Sequence, residues 1–217
     1  MRPDFDPRLY LVTDRALSGG RTTEFIVAAA LRGGVTAVQI REKNYPAGEF
    51  LERALRLKAL LDPPGIPLIV NDAVDVARAC GAAGVHLGQS DAPPAEARRL
   101  LGPDAIIGLS VETLEQAARA EDEDVDYLGV GPIFPTLTKT DVAAPWGLDG
   151  LRRLRARTRK PLAAIGGIDA SNAASVIEAG ADGLAVVSAI VSAADPEAAA
   201  RALRTIIDGA LFSRPRG

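Results

Sequence analysis

Short runs of Val, Ile, Leu and Ala alternate with longer segments of helical period along the chain, and the runs end in glycine, a hydroxyl residue or a carboxylate. The runs predict strands at 8–13, 35–41, 67–70, 85–87 and 105–109, the last with Ser110 at its tip, and three more ending at Gly131, Gly166-Gly167 and Ser188. Helical segments follow. The first begins near Thr22, a cap with Glu24 close behind, and ends at Arg32 before Gly33-Gly34. The second spans 47–61 and is stopped by Asp62-Pro63-Pro64-Gly65. Others end at Cys80, open at Pro93-Pro94, cover 112–121 and 148–157, start at 169–172 and run from 196 to 207. Strands that alternate with helices imply parallel pairing, and near-continuously apolar strands suit a sheet buried on both faces. The prediction is a single-domain α/β protein, a (β/α)₈ TIM barrel with short loops over about 8–207 and a frayed tail from 208 to 217.

Composition sharpens this picture. The chain has 217 residues, close to the practical floor for such a barrel, so insertions must be few. Hydrophobic residues make up 47% and aromatics 4%, so small and aliphatic side chains must fill the core. The net charge is −3 with no basic block, which argues against nucleic-acid binding and requires any anionic ligand to be held by a local cluster. The single cysteine, Cys80, excludes an intramolecular disulfide and a multi-cysteine zinc site. There is no membrane-length apolar run and no signal-peptide pattern in Met1-Arg2-Pro3-Asp4-Phe5-Asp6, so the expectation is a cytoplasmic protein.

Candidate chemistry collects at the carboxyl ends of the strands, where this fold displays its active sites. In strand 2, period-2 alternation sends Val38 and Ile40 under the helices and Gln39 and Arg41 into the barrel, with Lys43 just beyond the rim. Arg41 reads as part of an anion site or as half of a structural Arg–Glu pair. Asp72 and Asp91 end strands 3 and 4. They read as helix caps or, taken with Arg41 and Lys43, as ligands of one Mg²⁺ that also meets ligand phosphates. Asn71 and Asp72 would point oppositely on an ideal strand, so the turn must bend if both face the site. Ser110 reads as inward-facing or as a cap. The loop after strand 6 carries Thr136, Thr138 and Lys139 and reads as a solvated loop or as a lid over an anion. Gly-rich turns after the last strands offer backbone N–H groups to a phosphate. His86, the one histidine, lies below the rim and reads as a satisfied core residue; Trp146 and Cys80 read as packing residues.

Seven segments together resemble the thiamine phosphate synthase family: Gln39-Ile40-Arg41-Glu42-Lys43, Val70-Asn71-Asp72, 84–91, Gly108-Leu109-Ser110, 129–139, Ile165-Gly166-Gly167-Ile168 and Val187-Ser188-Ala189-Ile190. The resemblance covers about 9–200. It implies a transferase of thiamine biosynthesis that joins an aminomethylpyrimidine pyrophosphate to a thiazole phosphate and releases pyrophosphate. It further implies that Gln39, Ile40, Arg41, Glu42, Lys43, Asn71, Ser110 and Lys139 hold the pyrimidine pyrophosphate, with Arg41, Lys43, Ser110 and Lys139 catalytic. Asp72 and Asp91 would ligate Mg²⁺, and Thr136, Leu137, Thr138, Gly167, Val187 and Ser188 would hold the thiazole phosphate. Small molecules would be the partners, with room for a homo-oligomer.

One departure is Glu112, which stands where many relatives carry His and reads here as a cap of helix 5. Two rivals remain at this level: a thiazole tautomerase-like isomerase of the same superfamily, which would not need the pyrophosphate set, and a non-catalytic phosphate-binding barrel.

Overall fold

The structure, a computed structural model, describes residues 5–42, 45–136 and 144–214. Eight strands form it: β1 Leu9–Val12, β2 Ala37–Ile40, β3 Leu68–Asn71, β4 Gly84–Leu87, β5 Ile106–Val111, β6 Tyr127–Val130, β7 Leu162–Ile165 and β8 Gly183–Val186. Each pairs in parallel with the next, and β8 pairs with β1, so the sheet closes into a barrel. The helices are α1 Thr23–Arg32, α2 Ala47–Leu61, α3 Val74–Cys80, α4 Pro94–Leu101, α5 Leu114–Ala120, α6 Gly147–Arg155, α7 Ala173–Glu178, α8 Ser188–Val191 and α9 Pro196–Ser213. The predicted TIM barrel is the observed fold.

Strand alternation divides the apolar residues into two layers. Leu11, Val38, Ile40, Val70, Val85, Leu87 and Ile107 face outward and pack against helix residues such as Ile26, Val27, Leu57 and Leu61. Tyr10, Val12, Ala37, Ile69, Ile106, Tyr127, Ala163 and Ala185 face inward. The inner layer pairs large with small: Tyr10 lies beside Ala37 and Ala185, and Tyr127 beside Gly108. This interdigitation is how a small barrel fills its interior.

Caps set helix starts. Thr22 accepts the Phe25 N–H at 3.2 Å and begins α1, as expected. Asp195 accepts the Ala198 N–H at 3.0 Å and begins α9.

Three elements depart from expectation. β5 extends through Val111, so Ser110 lies within the strand rather than at its tip. Ser188 opens a short extra helix instead of ending β8. The last helix continues to Ser213 rather than fraying after Asp208, because Ala210 is buried, Leu211 packs on the core and Arg214 donates to the Ala181 carbonyl at 2.9 Å. No helix among the described residues is long and apolar enough to cross a membrane.

Candidate active site

A cavity of about 560 Å³ opens at the carboxyl ends of the strands, a size suited to small ligands. Its lining divides by strand. Gln39, Arg41, Asn71, Asp72, Asp91 and Ser110 come from the β2–β5 side, while Thr136, Gly166, Gly167, Val187 and Ser188 come from the β6–β8 side. One cavity therefore joins an acidic and basic cluster to a glycine-rich turn.

The two carboxylates converge. Asp72 adopts a left-handed backbone with φ 63°, which supplies the bend that puts both Asn71 and Asp72 on the cavity. That conformation costs a non-glycine residue about 1–2 kcal/mol. Neither Asp is a cap: Ala73 and Pro93 precede α3 and α4 as their caps, without a side-chain bond. Asp91 Oδ2 instead accepts the Gly88 N–H at 2.6 Å. Burial, then the Asp91 carboxylate beside it, raises Asp72 to about 6. Two carboxylates held together in this way can share a proton or a bound cation. Among the described residues no cluster of three or more metal-ligating side chains exists. A pair of carboxylates with no sulfur or imidazole ligand fits Mg²⁺, which completes its shell with water and ligand phosphates. It does not fit a structural zinc site.

Arg41 is the one Arg or Lys among the described lining residues. Its guanidinium lies 3.5 Å from Asp14, at the tip of β1, so the structural partner is Asp14 and not Glu42. Glu42 turns away: its side chain is 2% exposed, faces Arg53 at 4.0 Å, and burial raises its pKa. Ile40 is fully buried in the outer layer, which leaves only its backbone for a ligand. Lys43, Leu137, Thr138 and Lys139 lie outside the described residues.

On the opposite wall, Gly167 has φ 65°, and a Cβ there would lie 2.7 Å from the Pro135 carbonyl and 2.8 Å from Phe134 Cβ. The turn therefore requires glycine. If Gly167 holds the thiazole phosphate, as the resemblance implies, Gly167→Val should raise the KM for that substrate at least tenfold, the scale of left-handed strain, and leave that of the pyrimidine substrate within about twofold. Initial rates at varied concentrations of each substrate check this; unchanged thiazole phosphate KM would remove Gly167 from the site.

The site also holds residues that sequence reasoning passed over. His86 lines the cavity, with Nδ1 2.9 Å from the Tyr127 hydroxyl and Nε2 2.8 Å from Ser110 Oγ. It is satisfied, as expected, but it grips a candidate ligand-binding serine. Burial lowers it to about 4, so it is neutral at pH 7. Gln89 joins from the β4 turn, donating to the Ser110 carbonyl at 2.7 Å. Glu112 lines the cavity and does not cap α5; Thr113 does, accepting the Gln116 N–H at 3.2 Å. The signal for His86 and Tyr127 was the same alternation that placed Gln39: both sit at inward positions of their strands. Cys80 is buried and Trp146 packs against the core, as expected.

Fold and site together have the form of a (β/α)₈-barrel enzyme, with a cavity at the carboxyl ends of the strands, an acidic pair on one wall and a glycine turn on the other. A family model described as thiamine monophosphate synthase matches residues 9–190. The thiamine-phosphate synthase of Albidiferax ferrireducens is 62% identical over 93% of this chain and 92% of its own. That of Chloroflexus aurantiacus is 54% identical over 93% of each. Among solved structures, the thiamine phosphate pyrophosphorylase of Pyrococcus furiosus is 41% identical, covers 95% of this chain and 98% of its own, and superposes with a TM-score of 0.87. The chain belongs to the thiamine monophosphate synthase family. The expectation of a transferase stands; the isomerase and non-catalytic readings gain no support.

Proposed function

We propose that this chain forms thiamine phosphate by joining an aminomethylpyrimidine diphosphate to a thiazole phosphate with release of pyrophosphate. The observation that carries the reading is the single cavity with Asp72, Asp91 and Arg41 on one wall and Gly166-Gly167 with Ser188 on the other. The first wall suits a diphosphate with its cation, and the second suits a phosphate monoester.

The reaction asks for charge neutralisation. The bond from the methylene carbon to the diphosphate oxygen breaks and its electron pair leaves with the diphosphate. The aminopyrimidine delocalises the resulting cation, and the thiazole nitrogen supplies the pair that forms the new C–N bond. Arg41, with Lys43 and Lys139, stabilises the negative charge that grows on the leaving group. Asp72 and Asp91 would hold a Mg²⁺ ion, which would supply Lewis-acid stabilisation of the leaving diphosphate. Gln39, Asn71 and Ser110 orient the pyrimidine substrate; Thr136, Thr138, Val187 and Ser188 orient the thiazole phosphate. Both nitrogens of His86 are already engaged, so it is not the general base, and a nitrogen nucleophile needs none.

The expected cytoplasmic location belongs to the same proposal. The deciding experiment mixes both substrates with the purified protein, with and without Mg²⁺. Pyrophosphate and thiamine phosphate should appear in equal amounts and depend on the metal. Isomerisation of a thiazole with no pyrophosphate would overturn the reading in favour of the tautomerase branch.

A further inference from the structure

The barrel interior contains a line of buried polar side chains that the synthase chemistry does not by itself explain. Gln39 Nε2 donates to the Tyr10 hydroxyl at 2.8 Å. The Tyr10 and Tyr127 hydroxyls meet at 2.9 Å. Tyr127 then meets His86 Nδ1 at 2.9 Å, and His86 Nε2 meets Ser110 Oγ at 2.8 Å. Five strands contribute, and both ends of the line open on the cavity.

The surrounding sequence is arranged to accommodate it. Gly108 lies in register between His86 and Tyr127. A Cβ there would come within 2.1 Å of Tyr127 Cζ and 2.5 Å of His86 Nδ1. A Cβ at Gly129 would come within 2.6 Å of His86 Cε1. Glycine weakens a strand interior and often marks a close approach; here two strands carry it where the histidine and tyrosine must pass. Phe5 stacks on Tyr127 with ring centres 4.2 Å apart and meets Tyr10 edge-on at 5.4 Å, which covers the tyrosine pair.

Counting protons gives the line a direction. The Gln39 amide N–H occupies a lone pair of the Tyr10 oxygen, and the remaining partner of that hydroxyl is Tyr127. The Tyr10 proton therefore goes to the Tyr127 oxygen, since a buried donor left without an acceptor is costly. The Tyr127 proton in turn goes to His86 Nδ1. A neutral imidazole that accepts at Nδ1 carries its proton on Nε2, which donates to Ser110 Oγ. The serine proton is then left for the cavity.

We propose that Gln39, Tyr10, Tyr127, His86 and Ser110 form one ordered hydrogen-bond relay that holds the Ser110 hydroxyl as a donor to a ligand lone pair. Tyr10, Tyr127 and His86 are its positioning residues. The ligand's identity rests on the pyrimidine diphosphate reading above; the order of the relay does not. Chains of this kind strengthen one another in a water-poor interior, so a break in the middle is felt at the serine.

The single histidine makes the test direct, because a ¹⁵N-labelled protein shows one imidazole without ambiguity. In the full chain at neutral pH, free of substrate, the ring should be the Nε2–H tautomer with Nδ1 accepting. An Nδ1–H tautomer means that the Gln39 amide is turned over and the line runs the other way; that result, or a charged ring, overturns the proposal. In Tyr127→Phe the Nδ1 resonance should move downfield as its donor is lost. The kcat/KM for the pyrimidine diphosphate should fall about tenfold, the scale of one hydrogen bond, with thiazole phosphate KM within about twofold. A kcat/KM within twofold of the parent overturns the positioning role. If Tyr127→Phe does not fold, the parent tautomer alone decides. A correctly ordered ring in a protein that makes no thiamine phosphate would sink the synthase reading and not the relay.

Discussion

Asp91→Asn is expected to lower kcat about 10²–10³-fold and to move the Mg²⁺ response to higher concentration. The charges around the cavity carry the expectation. The described lining has Asp72, Asp91 and Glu112 against Arg41, a net negative wall for a ligand that is itself a polyanion. On the proposed reading, a cation sits between the diphosphate and the acidic pair and offsets that negative wall. Removing one of two carboxylates weakens that cation's hold at the point where negative charge grows, and one such stabiliser is worth roughly 3–4 kcal/mol. The substitution keeps shape: an amide oxygen can still accept the Gly88 N–H that Asp91 Oδ2 accepts at 2.6 Å. The fold should therefore survive with an unchanged melting temperature. The loss also relieves the neighbour, so Asp72 should titrate lower than in the parent, burial remaining its main cause of elevation. Initial rates against Mg²⁺ for parent and variant measure this directly. Superimposable titrations would reduce Asp91 to a structural anchor of the Gly88 turn.

The parts of the molecule that the sequence made readable are those governed by alternation and by turn chemistry. Val38 and Ile40 lie under the helices and Gln39 and Arg41 face inward, because side chains on a strand alternate strictly. The same rule demanded a bend at Asn71-Asp72, and the left-handed backbone of Asp72 provides it. Elements shaped by long-range packing were less readable. α9 continues past Ile207 because Ala210 meets the core, which no local signal announces. Glu112 looked like a cap only because it precedes a helix; Thr113, one residue on, has the right backbone and takes the bond. The relay was hidden for a different reason. Its members are scattered over Tyr10, Gln39, His86, Ser110 and Tyr127, and only closure of the barrel brings five strands to one axis. Beyond the alternation that turns His86 and Tyr127 inward, the glycines at 108 and 129 were its trace in the sequence, since two inward glycines on adjacent strands leave space that something large must fill.

Arg41→Ala should cost about 10²–10³ in kcat/KM for the pyrimidine diphosphate, and the reason is again local charge. Arg41 supplies the one guanidinium or ammonium among the described lining residues, and Asp14 stands 3.5 Å from it. Truncation removes a positive group and also leaves the Asp14 carboxylate without the guanidinium beside it. The backbone stays in place, because the Arg41 N–H is held by Thr13 Oγ1 at 3.1 Å. The effect should therefore be electrostatic rather than a loss of fold. Two further variants separate its parts. Arg41→Lys keeps the charge but loses the planar fork that matches phosphate oxygens, so it should recover some of the loss and not all. Adding Asp14→Asn to Arg41→Ala removes that unbalanced negative charge and should recover some by a different route. Raising ionic strength should narrow the gap between Arg41→Ala and the double variant, because salt screens partly exposed charges. The KM for thiazole phosphate, proposed to bind on the Gly167 side, should stay within about twofold throughout. A loss of less than threefold in Arg41→Ala would mean that the guanidinium serves Asp14 alone, and the anion wall would then have to be built from Lys43 and Lys139.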